Sequence, residues 1–263
     1  MTEPVLKVEN LKAGYDGKVI LQDVSMQVKK SEIRVILGTS GCGKSTLLKN
    51  VIGLEKPISG NLKIFGEKVN WFDGNPSTDR MRRIGVLFQG GALLSSMTVA
   101  ENVSLPLRIH NPGLPKSIVE SLVRLKLDQV KMGAAYHKLP SELSGGMRKR
   151  AGLARAMVTD PELLFCDEPS AGLDPVTSRE LDDLLLELKQ DLGITMVVVT
   201  HELDSIRNIS DSLTFLSSGK VIYDGPFAEA ENQGPQEVQD FLARKSEVAQ
   251  RNKTPVAFHL EDS

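Results

Sequence analysis

The densest chemistry in the chain is the run Gly38-Thr39-Ser40-Gly41-Cys42-Gly43-Lys44-Ser45-Thr46. Glycines at this spacing let backbone N–H groups turn inward around phosphate oxygens, and a helix starting there adds partial positive charge. In such a loop Lys44 would bridge terminal phosphates and the Ser45 hydroxyl would ligate Mg²⁺. The second reactive pair is Asp167-Glu168, which follows the apolar run Leu163-Leu164-Phe165-Cys166. Asp167 at a strand end can hold Mg²⁺ directly or through water, and Glu168 is the candidate base for an attacking water. Strand alternation alone would aim the two carboxylates at opposite faces, so the turn at Pro169 must redirect Glu168. A third segment, Leu143-Ser144-Gly145-Gly146-Met147, opens a stretch containing Arg148, Lys149, Arg150 and Arg155. Ser144 suits a helix N-cap and the two glycines expose backbone donors. Alone, that segment would read as a helix start with a solvated basic face.

These residues need a scaffold. Glu32 to Leu37 reads as a buried strand running into the first glycine loop, and Leu47, Leu48, Val51 and Ile52 beyond it have helical spacing that Gly53 would stop. Val5 to Leu11 and Val19 to Val28 read as short strands around the turn-rich Gly14 to Gly17. Residues 57–85 look like a small hairpin with loops, and Gly85 to Gln89 like another strand. From Thr98 to about Thr159 the pattern is helical, divided by Pro106, Pro112, Pro115 and Pro140. Strand signals return at Leu163 to Cys166 and Thr195 to Val199. Between them Leu181, Leu184, Leu185, Leu188 and Leu192 form one apolar helical stripe. Leu213 to Leu216 and Lys220 to Tyr223 look like a closing hairpin. Alternating strands and helices predict an α/β fold with a largely parallel sheet, whose ligands sit at the carboxyl ends of the strands.

Composition narrows the field. The chain has 263 residues, 40% apolar and 25% charged, with 32 basic against 34 acidic residues and a net charge of −2. That balance argues against a general nucleic-acid binder, which carries a basic face. Runs such as Met196-Val197-Val198-Val199 are far too short to span a bilayer, and the first residues lack the pattern of a signal peptide. Cys42 and Cys166 are too few for a disulfide framework and lack metal-ligand spacing. The expected compartment is the cytosol.

Taken together, the segments resemble the nucleotide-binding subunit of ATP-binding cassette (ABC) transporters, from about residue 5 to 225. Gly38 to Ser45 is similar to their P-loop, Leu143 to Met147 to the family signature, and Leu163 to Glu168 to the Walker B strand. Tyr15 resembles the aromatic residue that stacks on adenine, and Gln89 the Q-loop glutamine near Mg²⁺ and the permease. Ser170-Ala171-Gly172-Leu173-Asp174 resembles the D-loop, and His201 the switch histidine that contacts the γ-phosphate. The resemblance implies a P-loop NTPase core with parallel sheet, an N-terminal antiparallel β-subdomain and an inserted α-helical subdomain. The expected boundaries are 1–90 and 156–226 for the core, 91–155 for the helical subdomain and 227–263 for a C-terminal helix and tail.

It also implies ATP and Mg²⁺ as cofactors. Lys44, Gln89, Glu168 and His201 would be catalytic, and Ser45, Gln89 and Asp167 would hold metal. The nucleotide would lie against Tyr15, Gly38 to Thr46, Ser144, Gly145, Gly146 and Asp174. Two subunits would dimerise head to tail, each signature closing on the ATP of the other, and would drive a separate permease near residues 89–101. The fifth signature residue, Met147, departs from the usual glutamine. With the runs Phe88 to Asn102 and Pro140 to Leu143, it resembles the branch serving Mce-type permeases, the Mla-like phospholipid transporters of Gram-negative envelopes. That branch implies an Mce-domain periplasmic protein, a small regulatory subunit and a peripheral place on the cytoplasmic face of the inner membrane. The rivals are an importer ATPase for amino acids or other solutes and a soluble ABC ATPase. The second usually has a coiled-coil insertion, zinc-binding cysteines or two cassettes in one chain. Phe227 to Arg244 is expected to be one helix with a tail after it, either disordered and without function or, as the Mla-type resemblance implies, reaching across to the second subunit. The tail's run Pro255 to Leu260 carries apolar residues that a purely solvated tail would not need.

Overall fold

The computed structural model describes residues 3–70 and 78–251. The chain starts with β1 (Leu6–Tyr15) and β2 (Lys18–Val28), then β3 (Ile33–Gly38), α1 (Lys44–Val51), β4 (Ser59–Ile64), β5 (Glu67–Lys68), α2 (Thr78–Arg82) and β6 (Ile84–Leu87). Helices α3 (Val99–His110), α4 (Lys116–Gln129) and α5 (Gly145–Met157) follow, with short 3₁₀ turns at Gly133–Ala135 and Pro140–Glu142. The remainder is β7 (Leu163–Asp167), α6 (Pro175–Leu192), β8 (Thr195–Val199), α7 (Leu203–Ile209), β9 (Ser212–Ser217), β10 (Lys220–Pro226), α8 (Phe227–Gln233) and α9 (Gln236–Arg251).

One sheet has the order β10-β9-β3-β8-β7-β6, parallel from β9 to β6, with β10 returning antiparallel as a hairpin edge. The other is antiparallel, in the order β2-β1-β4-β5. The central strands face two cores, and their period-2 alternation divides the side chains between them. Ile33, Val35, Leu37, Leu164, Cys166, Met196 and Val198 pack with the helices α3 to α7. Ile36, Leu163, Phe165, Val197 and Val199 point the other way, toward α1 and the antiparallel sheet. A strand buried on both faces reads as a continuous apolar run, which is how β7 and β8 appear in the sequence. The fold is the α/β arrangement expected: a mostly parallel sheet, an antiparallel sheet and a run of helices between β6 and β7.

Local departures have identifiable causes. β1 runs on to Tyr15, because Asp16 and Gly17 alone form the turn, with φ of 51° and 74°. That two-residue geometry matches the twist of the flanking strands. Pro106 does not divide the helical region but lies inside α3, where Val99, Val103 and Leu107 are buried. Packing of that face outweighs the one backbone bond a proline removes. A helix, α2, forms at Thr78–Arg82 where a hairpin with loops was expected; residues 71–77 lie outside the described residues. The expected helix from Phe227 is two helices, interrupted at Gly234-Pro235 because proline disfavours helical backbone before it. The second helix continues to Arg251, past the point where a tail was expected. The apolar run Pro255 to Leu260 lies outside the described residues.

Candidate functional site

β3, β7 and β8 end side by side, and the loops leaving them build one cleft. Gly38, Thr39, Ser40, Gly41, Lys44, Ser45, Gln89, Asp167, Glu168, His201 and Phe241 line a cavity of about 680 Å³. The glycine loop lies against the sheet so closely that a Cβ on Gly38 would sit 2.0 Å from the Leu216 carbonyl oxygen. Gly38 also has a φ of 149°, a backbone open to glycine. Lys44 Nζ donates to the Gly38 carbonyl at 2.9 Å and to the Thr39 carbonyl at 3.2 Å, so the ammonium is folded over the loop. Cys42 and Thr46 are buried beneath it, and Gly43 is the N-cap of α1.

Asp167 ends β7 and its carboxyl is half-buried. Burial raises it above the usual carboxylate range, the charge of Glu168 adds to that shift, and Lys149 opposes it. Glu168 escapes strand alternation because its φ is 47°, in the left-handed region, while its N–H donates to the Val199 carbonyl at 2.8 Å. Both carboxylates therefore reach the same cleft. Glu168 Oε1 lies 2.8 Å from His201 Nδ1, on the loop after β8, and Glu168 Oε2 is buried with no hydrogen-bond partner among the described residues.

The other candidate residues lie apart from this cleft. Tyr15 is at the end of β1 and 56% exposed. Ser144 is the N-cap of α5, its Oγ accepting the Met147 N–H at 3.2 Å, and Gly145 and Gly146 form the first helical turn. The first turn of α5 holds no acidic residue to offset the positive end of the helix dipole. Asp174 caps α6, accepting from the N–H groups of Val176 and Thr177 and from the Thr177 hydroxyl. None of Tyr15, Ser144, Gly145, Gly146 and Asp174 lines the cleft of its own chain.

Two residues that border or support the cleft escaped sequence reasoning. Phe241 on α9 borders the cleft and packs edge-on against Phe215, with ring centroids 5.2 Å apart. Lys149, given no role from the sequence beyond the basic stretch after the signature, is 6% exposed and its Nζ donates to the backbone carbonyls of Glu168, at 2.8 Å, and Gln89. Burial pushes its pKa below the usual lysine value, against the opposing charges of Glu168 and Asp167. The stripe Gly146, Lys149, Leu153 at helical spacing was the available signal.

The donor set fits a nucleoside triphosphate and a hard divalent cation. A glycine loop closed over a lysine, a serine hydroxyl, one carboxylate at a strand end and a glutamine suit phosphate and Mg²⁺. A parallel sheet with a phosphate-binding loop at its carboxyl edge defines a P-loop nucleotide-binding protein. The chain belongs to the ABC transporter family, whose model matches residues 21–171, and is one of its ATPase cassettes. It is 34% identical to the intermembrane phospholipid transport system ATP-binding protein MlaF of Haemophilus influenzae, over 100% of this chain and 99% of that one. It is 43% identical over 206 residues to the methionine import ATP-binding protein MetN 2 of Paraburkholderia xenovorans; that match takes in 78% of this chain and about half, 53%, of the relative's length. Among solved structures, cbiO1 of Clostridium perfringens, part of the ABC transporter complex cbiONQ, is similar with a TM-score of 0.81 and 31% identity, covering 96% of this chain and 100% of that one. A dimeric post-hydrolysis state of the ATP-binding cassette MJ0796, bound to ADP and Pi, has a TM-score of 0.77 and 30% identity, covering 84% and 98%.

Proposed function

We propose that two copies of this chain form the ATP-hydrolysing engine of an envelope phospholipid transporter, acting on a separate membrane permease. Lys44 and the backbone N–H groups of the loop from Gly38 to Thr46 hold the phosphates, and Tyr15 stacks on the adenine. Ser45, Asp167 and Gln89 would hold Mg²⁺, which would supply neutralisation of the phosphate charge. Glu168 orients the attacking water and takes its proton, and His201 steadies the Glu168 carboxylate beside the γ-phosphate. The face of the phosphates left open by one chain is closed by Ser144, Gly145, Gly146 and Asp174 of the second copy. The separation of those residues from the cleft of their own chain supports this reading. ATP then binds two copies together, and the charge separation of hydrolysis loosens them.

The permease would dock in an apolar groove of about 400 Å³ between β6, α2, α3 and α5, lined by Met81, Phe88, Leu105 and Ile109. Ile109 is 66% exposed there. An exposed apolar patch in a groove marks an interaction surface. Nearby, the Asn102 amide donates to the carbonyls of Leu94, Met97 and Thr98, and so shapes the loop between Gln89 and α3. Among the described residues no helix is long and apolar enough to cross a membrane, so force has to be passed on through such a surface.

The observation that carries the lipid assignment is the end-to-end similarity to MlaF, to which Met147 in the signature adds support. An Mce-domain protein and a small regulatory subunit would complete the complex, at the cytoplasmic face of the inner membrane. The importer reading has the higher identity to a MetN protein in its favour. Affinity purification of the chain with its membrane partners decides between them. A copurifying Mce-type assembly whose turnover responds to phospholipid is expected; a permease whose turnover responds to an amino acid instead would establish the importer reading.

A further inference from the structure

Helix α5 joins the two halves of the proposed composite site. Its first turn carries Ser144 as N-cap with Gly145 and Gly146, while one turn later Lys149 runs inward to the backbone of two residues that line the cleft of its own chain. Lys149 Nζ donates to the Glu168 carbonyl at 2.8 Å and also to the Gln89 carbonyl. Further along the helix, Arg155 donates to the carbonyls of Gly91 and Ala92 at 2.9 and 2.7 Å. Between them Gly152 packs so closely that a Cβ there would lie 2.9 Å from Gly91 Cα. The turn at residues 89–92 is thus fastened to α5 at three points. Gly91 and Ala92 both adopt positive φ, of 73° and 49°, within that turn.

Glu168 is the other end of this link. Its φ of 47° is uncommon for a residue with a side chain, and such a backbone persists only where its surroundings hold it. The Glu168 N–H is tied to Val199 and its carbonyl to Lys149, so the peptide groups on both sides of its Cα are fixed. Direction of the carboxylate follows from that backbone, because the side chain leaves the Cα between them.

We propose that Lys149 is a positioning residue for ATP hydrolysis: one ammonium bridging the Glu168 and Gln89 carbonyls sets the aim of the Glu168 carboxylate and ties it to α5. The proposal rests on the reading of Glu168 as base. Its consequence is that seating α5 on the nucleotide of a second copy bears directly on the base of its own chain.

The full chain is compared with Lys149→Gln, Lys149→Met and Lys149→Arg. ATP affinity is read with a fluorescent ATP analogue, turnover by phosphate release and folding by thermal melting. Gln and Met should lower kcat by about tenfold or more, while KM and ATP affinity stay within about threefold, the split expected when only transition-state geometry is lost. Arginine, whose fork also spans two carbonyls, should restore most of the turnover. Parallel loss of affinity and turnover, or unchanged kcat in both neutral variants, overturns the proposal. Lys149→Gln keeps a polar group at the site and carries the comparison where Lys149→Met does not fold. Glu168→Gln is run alongside. Full turnover in that variant removes the base and Lys149 with it; its inactivity beside an unaffected Lys149→Gln removes Lys149 alone.

Discussion

His201 Nδ1 stands 2.8 Å from Glu168 Oε1, although the two residues leave different strands. The Glu168 side chain is 14% exposed and the His201 ring 63%, so the histidine faces the open side and the carboxylate the protein. Glu168 lines the cleft, and a carboxylate oxygen has two lone pairs, so Oε1 beside His201 can accept one more donor while Oε2 is buried. A water in the cleft is the donor that hydrolysis requires. Glu168→Gln keeps the shape and loses the basicity. Its kcat for ATP should fall by about 10²-fold or more, the usual worth of a general base. ATP binding should persist, and size-exclusion chromatography with ATP should show a trapped dimer. Substantial phosphate release from that variant would remove Glu168 from the role.

Asp167 trades stability for function. Burial raises its carboxyl above the ordinary value, so in the nucleotide-free protein the ionised form is the costly one. A carboxyl raised in this way favours the folded state at low pH, below the unfolded-chain value of about 3.9. That contribution is lost as pH rises through the folded-state value. Asp167→Asn removes the cost, so it should melt higher than the parent chain at pH 7 without Mg²⁺ or nucleotide. The difference should shrink toward pH 4. With Mg²⁺ and ATP the order should reverse, because binding stabilises the parent chain and not the variant. Differential scanning fluorimetry across pH tests both halves, and a lower melting temperature for Asp167→Asn at pH 7 would contradict the first.

Legibility from sequence varied with how local the physics is. The glycine loop, the strand ends and the amphipathic α6 were readable because each is set by neighbours in the chain. Lys149 was barely so: its spacing with Gly146 and Leu153 hints at an inward position, but the carbonyls that draw it in belong to Gln89 and Glu168, far away in the chain. Pro106 was misread for the same reason, since the buried face of α3 that tolerates it is a tertiary feature. Glu168 was half-legible: its approach to the cleft requires a turn, but a left-handed backbone at glutamate cannot be read from spacing. Tyr15, Ser144 and Asp174 take their assignments from family resemblance, and each sits outside the cleft of its own chain.

The two thiols should react very differently. Cys166 is fully buried before Asp167, and burial pushes its pKa up to about 12. A neutral thiol without access is inert. Cys42 lies inside the phosphate loop, with Sγ 3.9 Å from Lys44 Nζ. Cys42 is itself buried in the core beneath that loop, so reaction there requires the loop to open, and an adduct would keep the loop from closing to its phosphate-binding shape. A maleimide should therefore label Cys42 alone in the folded protein, slowly and with protection by MgATP, and labelled protein should lose nucleotide binding. Peptide mapping by mass spectrometry reads the site. Full ATPase activity after stoichiometric labelling at Cys42, or labelling of Cys166 in folded protein, would contradict this.

Beneath the cleft, Arg34 on β3 is buried and ion-paired with Asp224 on β10 and Glu32, with the Thr214 hydroxyl bridging toward Asp224. This cluster joins the strand that feeds the glycine loop to the edge hairpin. Removing one member of such a buried pair costs about 3–5 kcal/mol, mostly because the other charge is left uncompensated. Burial already raises the Asp224 carboxyl, and the Arg34 charge is the largest influence opposing that rise. Arg34→Met should therefore raise it further. A carboxyl raised in the folded state favours folding at low pH and disfavours it as pH climbs through its folded-state value. The defect of Arg34→Met, measured by urea unfolding, should thus be larger at pH 8 than at pH 5, because protonation of the raised Asp224 carboxyl becomes less costly as pH falls. Adding Asp224→Asn should recover part of the loss at pH 8, since the uncompensated charge at 224 is gone and only Glu32, which still accepts the Lys29 N–H, is left without Arg34. A defect equal at both pH values, and untouched by the second substitution, would mean that Arg34 acts through packing of its stem rather than through charge.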